Sequence, residues 1–385
     1  MKHYIHFAQP LFGREEKKEL LDTLDSGWVT LGPRTKQFEE ETARYVGSKY
    51  AVGVTSCTAG LHLALLSADV GSGDEAITSI FTFAASANTI IHVGATPVLV
   101  DIDPKTFNID PKRIEERIGP KTKAIVVMHY GGQPADMEKI LRIAKKHKLV
   151  VIEDAATAIG ASYKKKMIGN IGDLTCFSFH PIKNISTGDG GMVTTNNKKY
   201  AERLMILRLH GMSKDAWKRH SASGSWRYDI VEPGYKYNMT DIQAALGIHQ
   251  LRKLESFMQK RDEYANLYDE AFSKIPEITL PFVGKDIRHA RNLYTIEIDS
   301  TKLSITRDEL VEKLKKANIG VSVYYIPLHT FTFYKKMFHY KRGDFPIAER
   351  IFERIISLPL YPKMRKTDIQ YITKILIKLI QQYRQ

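Results

Sequence analysis

Between residues 50 and 155, short apolar runs alternate with stretches whose apolar positions recur every three or four residues. The runs Ala51–Thr55, Ala76–Ser79, Pro97–Asp101, Ala124–His129 and Leu149–Glu153 predict strands. The stretches Ala59–Ser67, Ala84–His92, Pro111–Arg117 and Met137–Lys146 predict the helices between them. Apolar strands separated by helices predict a largely parallel sheet covered on both faces. Upstream, a helical period covers Glu15–Leu24, and Gly32-Pro33 reads as a turn. Downstream, Phe177-Ser178-Phe179 reads as the end of a strand that Pro181 closes, since proline has no N–H for a ladder. Gly191–Thr195 predicts another strand. Residues 211–239, rich in Ser, Gly, Trp and Tyr, predict a long loop of the kind found at functional sites and interfaces. Ala244, Ile248, Leu251 and Leu254 then open a helix that runs to about Ala271.

Beyond residue 275 the texture changes. Short strands are expected at Tyr294–Ile298 and Val321–Tyr325, and helices at Arg307–Ala317 and Asp344–Ile356. The final stretch, Ile369–Gln381, carries Ile372, Leu376 and Leu379 on one face, which we read as core. The expected division is a large domain over residues 1–250, including an N-terminal segment, and a smaller α/β domain over 251–385 that begins within the linking helix.

Composition narrows the classes. The 385 residues suffice for a sizeable core, and 43% apolar with 26% charged residues is ordinary for a globular protein. Lys and Arg exceed Asp and Glu by 14, which favours an anionic partner such as a phosphorylated metabolite. The charges are spread along the chain and no nucleic-acid-binding signature accompanies them, so no nucleic-acid partner is expected. The two cysteines, Cys57 and Cys176, form neither metal-type nor redox-type spacing, and no metal is expected. The start MKHYIHFAQP has no apolar core, and no run approaches the length of a membrane helix. A cytoplasmic protein without a membrane partner is the expectation.

In open parallel sheets ligands bind beyond the carboxyl ends of the strands, so the residues just after each strand carry the chemistry. Ser56-Cys57-Thr58-Ala59 leads from a strand into a helix. Its free N–H groups and positive dipole end suit a phosphate, although Ser56 or Thr58 can equally serve as a cap. Neither a GxGxxG fingerprint nor a GxxxxGK[ST] loop is present. Phe81 and Phe83, at the second junction, can stack on a flat ring or simply join the core. Glu153-Asp154 closes an apolar strand. One acid can face solvent, while the buried one needs a cation or a hydrogen bond and can hold a proton on a heterocyclic nitrogen. Lys183 follows Pro181 in a loop, with Gly188, Gly190 and Gly191 close behind. A partly desolvated amine there has a lowered pKa and can attack an aldehyde. A phosphate-binding helix start, an aromatic, a ring-nitrogen acid and a loop lysine, all beyond strand ends, together specify pyridoxal phosphate.

The segments SGWVTLGPRTKQFE, TSCTAGLHLAL, FTFAASANTI, PVLVDID, MHYGGQPADM, VVIEDAATAIGA, CFSFHPIKNISTGDGGMV, GYKYNMTDIQAALG, VYYIPLH and SLPLYP resemble, in family order, the DegT/DnrJ/EryC1/StrS sugar aminotransferases. The resemblance covers nearly the whole chain. It implies the type I fold of pyridoxal-phosphate-dependent transferases: a mostly parallel seven-stranded central sheet in a large domain and a smaller C-terminal α/β domain. It implies Lys183 as the Schiff-base lysine and Asp154 as the partner of the pyridinium nitrogen. Thr58, the Ala59 N–H and Ser178 would hold the phosphate, Phe83 would stack on the ring, and Asn238 would reach the phosphate from the other subunit of a homodimer. Trp28, Gly32, Tyr325 and His329 would line the sugar side, and Arg227 would meet a substrate diphosphate. Thr157 departs from the family's usual His or Gln near the ring, and Asp189 stands where Glu is more common. The implied reaction passes an amino group from L-glutamate to a keto-sugar of a nucleoside diphosphate, of the 4-keto-6-deoxy type, in amino-sugar and polysaccharide biosynthesis. Relatives in which a His replaces the lysine are dehydratases, and Lys183 argues against that reading; the intact Lys183–Asp154 pair argues against a non-catalytic regulator.

Overall fold

In the computed structural model, which describes residues 4–213 and 227–385, the alternating region forms a seven-stranded sheet. Its strands are β1 (Tyr50–Val54), β2 (Glu75–Ser79), β3 (Thr96–Val100), β4 (Thr122–Met128) and β5 (Val150–Asp154). After a two-strand ribbon, β6 (Ser162–Tyr163) and β7 (Lys166–Met167), come β8 (Leu174–Ser178) and β9 (Gly191–Thr195). The order is β1-β9-β8-β5-β4-β2-β3, and only β9 runs against its neighbours. Burial explains the unbroken apolar strands. Val126, Ile152 and Cys176 face a core beneath the Cys57–Ser67 helix, while Ile125, Val127 and Val151 face another beneath the Met137–His147 helix. With both faces covered, the strands carry apolar residues at successive positions.

The C-terminal part adds β10 (Ile278–Thr279), β11 (Ile287–Arg288, paired with β6), β12 (Tyr294–Ile298) and β13 (Ile355–Leu358). Strands β10, β12 and β13 form one antiparallel sheet. A single helix, Asp241–Phe272, serves two cores. Ala244, Ile248 and Leu251 pack beneath the large sheet, and Tyr264, Ala265, Tyr268 and Phe272 pack with β12 and β13. Thr240 and Gln243 begin it with a reciprocal capping box.

Three expectations need correction. Gly32-Pro33 is not an isolated turn but the start of a helix, Pro33–Val46, with proline at its first position, where a missing N–H costs nothing. Val321–Tyr325 is not a strand. Only Ser322 pairs, exchanging both backbone hydrogen bonds with Ser357, and at Tyr324 the carbonyl is taken by the Tyr130 hydroxyl (2.5 Å) instead of a ladder partner. The helix expected over Asp344–Ile356 ends at Phe352, because Ile355–Leu358 is drawn into β13 beside β12. The middle of the expected 211–239 loop, residues 214–226, lies outside the described residues.

Candidate active site

The carboxyl ends of β1, β4, β5 and β8 open onto one cavity of about 240 Å3. At its edge the Cys57–Ser67 helix starts directly after β1, with the Ser56 hydroxyl oxygen accepting the Ala59 N–H (3.1 Å). The N–H groups of Cys57 and Thr58, at the first helical positions, have no carbonyl of their own helix to bond. They lie at the positive end of the helix dipole. The first residue of β9 comes against this corner. A Cβ on Gly191 would stand 2.5 Å from the Ser56 carbonyl carbon, so glycine is what lets the strand approach.

Asp154, the last residue of β5, turns into the cavity and is almost wholly buried. Ser86, on the Ala84–His92 helix, donates to Oδ2 (2.5 Å), and the Ala156 N–H donates to Oδ1 (3.2 Å). Cys57 Sγ lies 3.8 Å from the same Oδ1; burial, then the nearby carboxylate, pushes its thiol far up from its ordinary value. Contrary to expectation, neither acid of the Glu153-Asp154 pair faces solvent. Glu153 points to the other face, where Gly172 N–H (2.8 Å), Thr175 Oγ1 (2.6 Å) and His129 Nε2 (2.8 Å) surround its carboxylate. Three hydrogen bonds offset the cost of burying that charge.

Lys183 reaches the cavity from a tight turn closed by its own N–H on the His180 carbonyl (2.9 Å). Burial pushes its amine below the ordinary lysine value, and the Asp154 carboxylate and the Cys57 thiol pull it partly back. Among the described residues no hydrogen bond or ion pair engages Nζ. Ser178, at the end of β8, accepts the His180 N–H at Oγ (3.4 Å), which leaves its own proton for a ligand. Thr157 lines the wall beside Asp154, but its hydroxyl proton goes to the His129 carbonyl (2.7 Å), so it offers the cavity an acceptor and no donor. Phe83 is largely exposed at the mouth, 6.5 Å by ring centroids from the buried Tyr325.

This donor set fits pyridoxal phosphate. A buried carboxylate suits a protonated ring nitrogen, the free N–H groups with Ser178 suit a phosphate, an unengaged amine suits an aldehyde, and Phe83 offers an aromatic face. Among the described residues no group of three or more His, Cys, Asp or Glu side chains is placed to hold a metal ion. Fold and site together define a pyridoxal-phosphate-dependent enzyme of the type I fold.

The DegT/DnrJ/EryC1/StrS aminotransferase family model matches residues 10–377, and the chain belongs to that family. It is a sugar aminotransferase that depends on pyridoxal phosphate. It is 51% identical over 368 residues to the spore coat polysaccharide biosynthesis protein SpsC of Bacillus subtilis, covering 95% of each chain. It is 52% identical over 376 residues to the uncharacterized protein MJ1066 of Methanocaldococcus jannaschii, covering 98% of this chain and 97% of that one. Among solved structures it resembles PseC of Helicobacter pylori, an aminotransferase involved in the biosynthesis of pseudoaminic acid. That match has a TM-score of 0.92 at 31% identity and covers 99% of this chain and all of PseC.

Seven of the predicted site residues meet at the cavity: Thr58, Phe83, Asp154, Thr157, Ser178, Lys183 and Tyr325. The others do not line it. The Ala59 N–H is occupied by the Ser56 cap. Trp28 donates its indole N–H to Leu31 (3.0 Å), and Gly32 borders a separate cavity of about 340 Å3. Arg227 is exposed. Asn238 lies beside Val54, with its Oδ1 buried and without a partner among the described residues. His329, expected on the sugar side, is buried instead against Phe345 and pairs through Nε2 with Glu349 (2.9 Å) on the Pro346–Phe352 helix. Sequence reasoning missed Ser86, His180, Asn292 and Tyr324. Only Ser86 had a legible signal, as a hydroxyl in the first turn of a helix that follows a strand end.

No helix among the described residues is long and apolar enough to cross a membrane.

Proposed function

We propose that this aminotransferase takes its amino group from L-glutamate and delivers it to a keto-sugar carried on a nucleoside diphosphate, of the 4-keto-6-deoxy type. The observation that carries the reading is an unengaged Lys183 amine facing the same cavity as the buried Asp154 carboxylate. The excess of 14 basic residues favours a diphosphate-bearing substrate. The names of SpsC and PseC, one tied to a polysaccharide and the other to pseudoaminic acid, support a sugar product of that kind.

When bound, pyridoxal phosphate supplies an aldehyde that carries the amino group and a ring that withdraws electrons from the carbon losing a proton. The residues then divide the work. Asp154, fixed by Ser86 and the Ala156 N–H, holds a proton on the ring nitrogen. Thr58, the helix-start N–H groups and Ser178 hold the phosphate. Phe83 would offer the ring an aromatic face, and Thr157 would offer it an acceptor. Nζ of Lys183 takes the proton from the donor's α-carbon, and in the second half of the cycle returns one to the sugar carbon that receives the amine. An amine pushed down by burial is free to accept a proton at lower pH than a surface lysine.

A homodimer completes the site in this reading. Asn238 reaches the phosphate of the partner subunit through the Nδ2 hydrogen left over from its bond to the Met239 carbonyl (3.1 Å). Trp28, Gly32 and Tyr325 bound the sugar, Arg227 meets the substrate diphosphate, and His329 supports the sugar wall through Glu349.

Borohydride reduction of the purified protein followed by peptide mass mapping should fix the cofactor on Lys183. Lys183→Ala should lose turnover with every keto-sugar in a nucleotide panel scored by glutamate-dependent product mass. Continued turnover by that variant sinks the assignment. Mixing Lys183→Ala with Asn238→Ala subunits should restore up to a quarter of wild-type activity through dimers that hold one intact site; no recovery in verified mixed dimers removes the shared-site reading.

A further inference from the structure

Lys183 makes no side-chain bond among the described residues, so something else must set where its amine stands. The residue on each side of it is held, Ile182 by its carbonyl and Asn184 by its side chain. Asn292, buried and lining the cavity, donates one amide hydrogen to the Ile182 carbonyl (3.2 Å) and the other to Asn184 Oδ1 (3.0 Å). Asn184 in turn donates to the Ala290 carbonyl (2.6 Å). A carbonyl can only accept, so the Ile182 and Ala290 contacts fix which end of each amide is nitrogen. Asn184 Oδ1 is then an acceptor facing a donor, and the pair is consistent throughout.

We propose that Asn292 is a positioning residue for Lys183. It ties the residues at 182 and 184 to the 290–292 segment, so that the lysine's backbone cannot rotate away from the reacting carbon. The segment is anchored from behind by Arg261, a fully buried guanidinium whose Nη1 donates to the carbonyls of Arg291 (3.0 Å) and Leu360 (2.6 Å). Both amide hydrogens of Asn292 are spent on this grip, which leaves only its Oδ1 for other partners. The residue acts through Lys183 and not on the cofactor. An alanine at 292 leaves the Ile182 carbonyl and Asn184 Oδ1 without their donor, which frees the turn before the amine and leaves Asn184 held only through its Nδ2. A displacement of about 1 Å at a reacting group lowers turnover about 100-fold.

The inference rests on Lys183 as the lysine that meets the cofactor and carries the proton; borohydride mapping of the wild type tests the first part separately, and turnover by Lys183→Ala tests the second. The decisive measurement uses cofactor-loaded Asn292→Ala and the volume-matched Asn292→Asp, both checked by circular dichroism and by cofactor content. With glutamate deuterated at the α-carbon, we expect kcat to fall about 10- to 100-fold, KM for either substrate to change little, and the deuterium isotope effect on kcat to rise as proton transfer becomes slower than the other steps. If Asn292→Ala does not fold, Asn292→Asp carries the same readouts, since its carboxylate keeps the volume but cannot donate to Ile182 or Asn184. A folded, loaded variant with unchanged kcat overturns the proposal, and so does a lower kcat with an unchanged isotope effect. Lys183 labelled by borohydride in the wild type alongside either of those results rejects this role for Asn292 while leaving the reaction intact.

Discussion

Glu153→Gln changes almost no volume, yet the structure predicts a large loss of stability. Oε1 of Glu153 accepts Gly172 N–H and Thr175 Oγ1–H, and Oε2 faces His129 Nε2. The imidazole cannot adapt, because its Nδ1 already accepts the Ala135 N–H (3.1 Å) and so carries no proton. Its one proton sits on Nε2 and points at Glu153. A glutamine with its oxygen toward Gly172 aims its NH2 at the imidazole N–H; turned over, it aims NH2 at the Gly172 N–H. Thr175 can rotate its hydroxyl, but the other two donors are fixed. Every arrangement loses at least one bond to a charged acceptor and sets two donors against each other. A hydrogen bond to a charged group contributes about 1.5–3 kcal/mol and an unsatisfied buried donor costs about 1–3 kcal/mol, so the expected loss is about 3–5 kcal/mol. Against a total of about 5–15 kcal/mol that is a substantial fraction. Urea unfolding followed by tryptophan fluorescence and circular dichroism at pH 7 measures it. A Glu153→Gln protein within about 1 kcal/mol of wild type refutes the reasoning, since it would mean that the fixed donors had found other acceptors. Loss of cofactor affinity should accompany the loss of stability. The His129 backbone holds the Thr157 hydroxyl through its carbonyl and the Asp154 carbonyl through its N–H.

Other consequences are open to simpler measurements. Gly191→Ala places a Cβ 2.5 Å from the Ser56 carbonyl carbon and 2.7 Å from the Cys57 nitrogen, so the phosphate-side helix start must move. We expect a loss of about 1–3 kcal/mol and weaker cofactor retention on dialysis, and wild-type retention argues against that corner as the phosphate site. Because burial lowers the folded value of the Lys183 amine, the unfolded chain binds more protons between that lowered value and about 10.5. The cofactor-free protein should therefore gain stability as pH rises through that window, and Lys183→Met should flatten the gain; parallel pH profiles for the two proteins contradict it. Both cysteines are free and buried, with thiols pushed far above their ordinary values by burial, so a disulfide-exchange reagent at pH 8 should label neither in the native protein and both after unfolding.

How much was legible in the sequence depended on which distances carried the information. The strands β1 to β5 follow from apolar runs that the two-sided burial demands, and Asp154 and Ser178 could be placed because they end β5 and β8, with Lys183 in the loop that follows β8. The pattern failed where long-range pairing overrode it. The run at Val321–Tyr325 has strand composition but has a ladder partner only at Ser322, and at Tyr324 the Tyr130 hydroxyl takes the carbonyl instead. Ile355 and Ile356 continue a helical period but are captured by β12. Asn292 could not be found at all, because its significance lies in two acceptors about 110 residues away, at Ile182 and Asn184. His329 was assigned by resemblance to a loop position, and nothing local announced that Glu349 would turn it inward.

Glu153 and Asp154 are adjacent acids on opposite faces of β5, one holding the scaffold and the other serving the chemistry. Because side chains on a strand alternate, a slide of β5 by a single position would turn each acid to the opposite face. Slid one way, Asp154 would face Gly172, Thr175 and His129 while Glu153 entered the apolar core at the place of Ile152; slid the other way, Glu153 would face Ser86 and the scaffold site would lose its acid. Function and folding share one dipeptide, and a threading error there damages both at once. A misassembled chain would therefore be visible to proteases as a poorly folded protein and would not persist as a sound but idle enzyme.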